Sequence, residues 1–404
     1  MAPAPTTFRI TLTGLAALAL AMGIGRFAFT PLLPMMQADG LVSIADGGLL
    51  AAVHFLGYWL GAVVAARVPC PPRLLLQLSL LAIAASTIGM GLTADMTVWL
   101  VLRWLAGVCS AWTLVLVSNY YVSLLAARGR PALQGWIFAG VGTGICIAGL
   151  ACLMFMAWQV DSARSWQLLG VLSLLTAIVL GLGAGAAVPA NRPAAQSQAA
   201  DRGPLHWRIV IAYGVMGLGY IIPATYLPVM GREIVPDPLV FGWSWPVFGA
   251  AAAVSTVFAA RLHARYSNRQ VWAVAQAVMA AGLLLPVLYP HIATIIAAGL
   301  CVGGTFMIIT MIGMKEAHRI APPRDVMRHI AVMTAAFATG QMLGPLFASA
   351  TYDLTGSFSA ALVAASGMLL ITAFSLLQGP AAAAVGSRTD GGRAATQQPY
   401  EDVT

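Results

Sequence analysis

The chain has 404 residues, 60% of them apolar and 8% charged, with 21 basic and 13 acidic side chains and a formal net charge of +8. Soluble domains carry about 25% charged residues, and disordered chains are rich in charge and poor in apolar residues, so both classes are excluded. At about 20 apolar residues per membrane-spanning helix, the chain supplies about twelve spans and little else, and an all-α membrane protein is expected.

In chain order, apolar runs broken by short polar loops place spans near residues 12–36, 47–66, 74–94, 97–125, 132–157 and 166–188. A second set follows near 207–230, 240–262, 271–289, 291–314, 329–352 and 358–378. These runs are too long for barrel strands and do not alternate. Arg9 followed by an apolar stretch resembles a signal peptide, but the run from Leu12 to Met36 exceeds an h-region and reads as an uncleaved first span. The expected organisation is a six-helix bundle over 1–188, a polar Ala-, Gln- and Pro-rich linker over 189–205, a second six-helix bundle over 206–378 and a disordered tail over 379–404.

The basic residues sort by side. With both termini on the cytoplasmic face, 17 of the 21 Lys and Arg fall in inner loops and two, Arg164 and Arg232, in outer loops. That is a positive-inside pattern for an inner-membrane protein. The positive charge is then accounted for by topology and lipid headgroups, with no nucleic-acid partner. The five cysteines lack metal-ligand spacing and read as packing residues. No H-E-x-x-H, G-x-S-x-G or Walker loop is present, so neither an enzyme nor a cofactor site is expected.

The first span contains Met22-Gly23-Ile24-Gly25-Arg26-Phe27-Ala28-Phe29-Thr30-Pro31-Leu32-Leu33-Pro34-Met35-Met36. Starting 194 residues later the chain reads Met216-Gly217-Leu218-Gly219-Tyr220-Ile221-Ile222-Pro223-Ala224-Thr225-Tyr226-Leu227-Pro228-Val229-Met230, identical at six of the fifteen positions. The same offset aligns Ala65-Ala66-Arg67 with Ala259-Ala260-Arg261. Two parallel six-helix repeats about an axis along the membrane normal resemble the plan of the major facilitator superfamily. Arg103-Trp104-Leu105-Ala106-Gly107 is similar to its fourth-helix R-x-x-x-G pattern. Gly340-Gln341-Met342-Leu343-Gly344-Pro345 is similar to its eleventh helix, and the opening string most resembles the YbfB/YjiJ-type branch. Two departures stand out. The acidic residue usual in the loop after span two is missing before Arg67, and Ile145 follows Gly140 and Gly144 where antiporter-type members place proline, which weakens a drug/proton exchange reading.

Two charged residues fall inside spans, Arg26 and Arg103, and all 13 carboxylates fall in loops, tails or span ends. A central arginine costs about 2.5–3.5 kcal/mol on insertion scales, so Arg26 is expected to face a cavity as the counter-ion of an anionic substrate. The alternative is pairing with backbone carbonyls at a broken helix. Tyr220 is its counterpart in the repeat. Arg103 either snorkels outward or joins Ser110 and Tyr121 in one polar stripe, within about 20° on a helical wheel. Gln341 and Thr334 share a face of span eleven. His54, near the centre of span two with Tyr58 one turn on, is the candidate proton carrier, or else bonds another helix. Asn119 lies on the opposite side of its helix from Arg103 and reads as interhelical glue.

The expected function is a monomeric secondary transporter moving a small organic anion by alternating access. Arg26, Arg103, Tyr121, Tyr220, Thr334 and Gln341 would bind substrate, and His54 would carry a proton if symport is coupled. The competing readings are an exporter of neutral or hydrophobic compounds, with structural arginines, and a non-transporting membrane sensor.

Overall fold

The computed structural model describes residues 6–183, 203–262, 266–322 and 325–378. Most of the expected linker and the whole 379–404 tail therefore lie outside the described residues. Twelve helices among them are long and apolar enough to cross a bilayer. They are α1 (Thr7–Ala38), α2 (Ile44–Val64), α3 (Pro72–Met90), α4 (Met96–Ala127), α5 (Pro131–Ala157) and α6 (Ser162–Leu182), followed by α7 (Trp207–Ile234), α8 (Pro238–Ala259), α9 (Asn268–Leu288), α10 (Ile292–Ile320), α11 (Val326–Thr355) and α12 (Ser359–Leu377). No strand occurs among the described residues. The ends follow capping chemistry. Ser43 and Asp46 form a reciprocal capping box on α2, Ser267 and Gln270 one on α9, and Gly356 closes α11 in the left-handed conformation.

Shifted by 194 positions, α1 to α6 land within a few residues of α7 to α12. Helix partners repeat with them. In the first set α1 packs on α5, α2 on α4, and α3 on α4 and α6; in the second α7 packs on α11, α8 on α10, and α9 on α10 and α12. Between the sets, α2 meets α11, α5 meets α8 and the last part of α1 meets α7.

Close approach of helix backbones explains the small residues. In a bilayer the lipid is as apolar as leucine, so helices associate by backbone packing rather than by hydrophobic transfer. A Cβ on Gly23 would overlap the Gly144 backbone, and Gly140 and Gly144 face the Leu15 and Ala19 carbonyls. Gly217 and Gly340 repeat this in α7 and α11, against Phe337 and Gly214. By contrast a Cβ on Gly304 meets nothing within 4 Å. Gly23→Ala is therefore expected to lower stability by about 1–3 kcal/mol or more through overpacking. Gly304→Ala should be neutral or stabilising by up to about 1 kcal/mol through helix propensity. Thermal unfolding of the two variants in detergent checks the contrast.

Call the side holding the starts of α1 and α7 the terminal face. There Glu316 of α10 is fully buried, accepting from Arg269 Nε at 2.7 Å, from Arg319 Nε at 2.7 Å and Nη2 at 2.6 Å, and from Asn268 Nδ2 at 3.3 Å. Nearby, the start of the second set is clipped to α11. Gly203 N donates to Asp325 Oδ2 at 3.2 Å, Arg328 Nη1 to the Gly203 carbonyl at 2.9 Å, and His206 N to His329 Nε2 at 3.3 Å.

Candidate functional site

The centre of the bundle forms where α1 stops being a regular helix. Residues Ala19–Ile24 are π-helical, with Gly25 N donating to Leu20 O at 2.8 Å and Phe27 N to Met22 O at 3.2 Å, each five residues back. Residues 25–28 are turns, and the helix resumes at Phe29. Pro31 has no N–H. Thr30 N donates to Phe27 O at 3.3 Å, three residues back, so the Arg26 carbonyl loses its usual partner. A freed carbonyl inside a membrane needs a donor from a neighbouring helix.

Helix α4 supplies those donors. Arg103 Nη2 donates to the Arg26 carbonyl at 3.4 Å and Nη1 to the Gly25 carbonyl at 3.3 Å, while Ser110 Oγ donates to the Ala21 carbonyl at 2.9 Å. The Arg103–Ser110 stripe thus faces the open backbone of α1. Arg103 does not snorkel outward: it is 3% exposed, with its guanidinium 4.7 Å from the Phe29 ring. Carbonyl pairing at a broken helix does occur, and Arg103 rather than Arg26 performs it.

The break turns Arg26 toward α7. Its Nη2 donates to Tyr220 Oη at 2.8 Å, and Thr30 Oγ1 donates to the Ala224 carbonyl at 2.5 Å. Each pair is separated by 194 residues. Positions equivalent under a two-fold repeat touch only near its axis, so these bonds mark the axis. Gln341 Nε2 also donates to Tyr220 Oη. With two bonds accepted, the phenol retains its own proton, which finds no acceptor among the described residues.

His54 is fully buried and its Nδ1 lies 3.1 Å from the Arg103 carbonyl. A carbonyl only accepts, so Nδ1 carries the proton and Nε2, which has no partner, is the free acceptor. His54, Tyr220 and Gln341 each sit within about one residue of the midpoint of their helices. One polar chain therefore runs from α2 through α4 and the α1 break to α7 and α11.

Two of the expected substrate residues are not brought to this centre. Tyr121 is 18 residues from Arg103, about 27 Å along α4 at 1.5 Å per residue, near the terminal face with the Tyr120 ring 4.9 Å away. A shared stripe fixes direction around a helix, not depth. Thr334 is half-buried, two turns from Gln341 toward the terminal face, and makes no bond to the polar chain. Asn119 is exposed, within a π-helical stretch of α4, so it glues no helix pair.

The charges are compensated unusually. Arg26 is 3% exposed and its guanidinium lies 4.8–4.9 Å from the rings of Phe27, Phe55 and Tyr58. Among the described residues neither Arg26 nor Arg103 forms an ion pair, and the Nε of each is buried without a partner. These rings, and those of Trp245, Phe248, Phe306 and Phe337, were not among the expected site residues. For Trp245, Phe248 and Phe337 the signal available was the small or polar residue at the equivalent position of the first half, Ala51, His54 and Thr143; Phe306 gave none, since its equivalent is Trp112.

Across the axis the halves are joined at the centre and on the side away from the terminal face. Beyond Arg26–Tyr220 and Thr30–Ala224, Arg232 Nη1 donates to the Pro34 carbonyl at 2.8 Å, and Tyr226 Oη, bonded within its own half to the Pro345 carbonyl at 3.2 Å, approaches the Ile44 carbonyl across the axis at 3.5 Å.

A family model described as "Uncharacterised MFS-type transporter YbfB" matches residues 18–377. No curated protein matches the chain in sequence. Among solved structures, a D-xylose-proton symporter superposes with a TM-score of 0.73 at 14% identity, covering 91% of this chain and 97% of that one. The nucleoside transporter NupG superposes with a TM-score of 0.68 at 12% identity, covering 91% and 98%. At such identities the likeness is one of fold.

Proposed function

From the premise that the chain belongs to the YbfB-type family of major facilitator superfamily transporters, a multi-pass membrane transporter rather than an enzyme, we propose that its substrate is a small organic anion carried by alternating access. The observation behind this is the pair of buried guanidinium groups at the centre with free Nε donors and, among the described residues, no carboxylate bonded to either. An unpaired buried ion costs several kcal/mol. The aromatic faces around Arg26 offset part of that, and a carboxylate would offset the rest through charge-assisted bonds. In this reading Arg26 exchanges its Tyr220 bond for the substrate, Tyr220 donates its free proton to it, and Gln341 orients the phenol. Arg103 holds the α1 backbone that presents Arg26.

Rocking about the α2/α11 and α5/α8 contacts would open one face while the other closes. The hydrogen bonds between the halves on the side away from the terminal face support reading that side as the closed one. The positive-inside charge pattern supports a cytoplasmic terminal face in a bacterial inner membrane. His54 Nε2 is the candidate acceptor for a coupled proton.

A thermal-shift screen of the purified protein tests the anion reading, since a ligand bound only to the folded state raises the unfolding temperature. Small carboxylates should stabilise the protein at concentrations where the corresponding carboxamides do not. Equal stabilisation by the amides would favour a carrier of neutral compounds.

A further inference from the structure

The polar centre is edged by aromatic rings that the transport reading leaves without a task. Starting from Arg26, its guanidinium lies 4.8 Å from the Phe27 ring, which is 6.1 Å from Trp245 across the interface between the halves. Trp245 stacks on Phe248 at 4.7 Å and 23°, Phe248 lies 5.5 Å from Phe306, and Phe306 stacks on Tyr220 at 5.1 Å and 4°. Tyr220 Oη then returns to Arg26 Nη2 at 2.8 Å. Five rings and one guanidinium close a circuit. Phe337 also stacks on Tyr220, at 5.7 Å and 5°.

Helix packing does not require these rings. Under the 194-residue offset, Trp245, Phe248 and Phe337 correspond to Ala51, His54 and Thr143, while Phe306 corresponds to Trp112, so at three of these four positions the first half builds the same fold with a small or polar side chain. The circuit also carries polar atoms that the empty protein leaves unused. Arg26 Nε and Trp245 Nε1 are buried donors without acceptors among the described residues. Stacked faces beside a guanidinium and an indole N–H match a flat ring carrying one anionic group.

We propose that the collar of Phe27, Trp245, Phe248, Phe306 and Tyr220 binds the ring of a planar aromatic monocarboxylate, with its carboxylate on Arg26. This rests on the anion reading above and adds the ring to it. Aromatic pairs contribute beyond their buried area, enough for about a tenfold preference for an aromatic ring over a saturated one of similar size.

Benzoate, cyclohexanecarboxylate and benzamide separate the two claims, titrated against purified full-length protein by thermal shift and by quenching of tryptophan fluorescence. The expected result is half-saturation by benzoate at about tenfold lower concentration than by cyclohexanecarboxylate, with benzamide weaker than both. Equal binding of the two carboxylates overturns the collar and leaves the anion reading standing. Benzamide binding as tightly as benzoate overturns the anion reading, and binding of neither carboxylate overturns both. The wild-type ratio decides without any variant. Phe248→Leu should bring it toward one while keeping the preference for carboxylate over amide, and Trp245→Phe should keep the ring preference.

Discussion

Replacing Arg26 by alanine is expected to weaken carboxylate binding by about 30-fold to several thousandfold, the 2–5 kcal/mol associated with removing one partner of a buried charge pair. The same change should leave the substrate-free protein as stable as the wild type or more stable. Arg26 has no anionic partner among the described residues and a buried Nε with no acceptor. Its removal relieves a desolvation cost of about 2.5–3.5 kcal/mol on insertion scales, against which stand three ring contacts and side-chain bonds to Tyr220 and Tyr58. Arg26→Lys should recover only part of the affinity, because an ammonium is a point charge that cannot hold a carboxylate bidentately while also reaching Tyr220. Counterflow in proteoliposomes of whichever carboxylate stabilises the protein most, alongside thermal unfolding of the empty protein, reads both effects. A variant that melts earlier yet retains transport would make Arg26 a structural residue and remove the basis for an anionic substrate.

The sequence made the spans legible because a bilayer demands long apolar runs, and α1 to α12 lie close to where those runs were placed. It also exposed the repeat, since Gly23, Gly25 and Pro34 recur as Gly217, Gly219 and Pro228, and Arg26 faces Tyr220 in the structure as that alignment pairs them. What stayed hidden depends on depth and on partners rather than on spacing. The Arg103–Ser110–Tyr121 stripe was visible on a wheel, but only the path of α1 shows that Arg103 and Ser110 serve its open carbonyls while Tyr121 lies far toward the terminal face. The collar was illegible for a different reason. Phe248 and Phe306 sit in apolar helices among many such residues, and only the fold brings Phe306 to Tyr220 and Phe248 to Phe306. Glu316, near the end of α10, gave no sign that Arg269 and Arg319 would converge on it, because Arg269 comes from 47 residues away.

Arg103→Ala should act in the opposite sense to Arg26→Ala on stability. Arg103 supplies donors to two carbonyls, of Gly25 and Arg26, that the interrupted α1 cannot satisfy for itself. A buried carbonyl left without a donor costs about 1–3 kcal/mol, so two cost about 2–6 kcal/mol. The desolvation relieved with the guanidinium, about 2.5–3.5 kcal/mol on insertion scales, offsets part of that, and the variant is expected to unfold below the wild type. Carboxylate affinity should fall with it, because the turn that aims Arg26 at the axis relaxes. Arg103→Lys, with a compact ammonium on a flexible stem, can reach one carbonyl well but not both and should fall between. Arg103→Met, which keeps volume without donors, should resemble alanine. Ser110→Ala removes a single donor from the Ala21 carbonyl and should cost about 1–3 kcal/mol. Were Arg103 instead a direct ligand of the substrate, Arg103→Ala would lower affinity and leave the empty protein's unfolding temperature unchanged. The two arginines act on one turn of backbone, Arg103 on its carbonyls and Arg26 as the side chain it presents, so their effects on affinity should not add. Once Arg26 is alanine, the further loss of Arg103 should cost stability and little more binding.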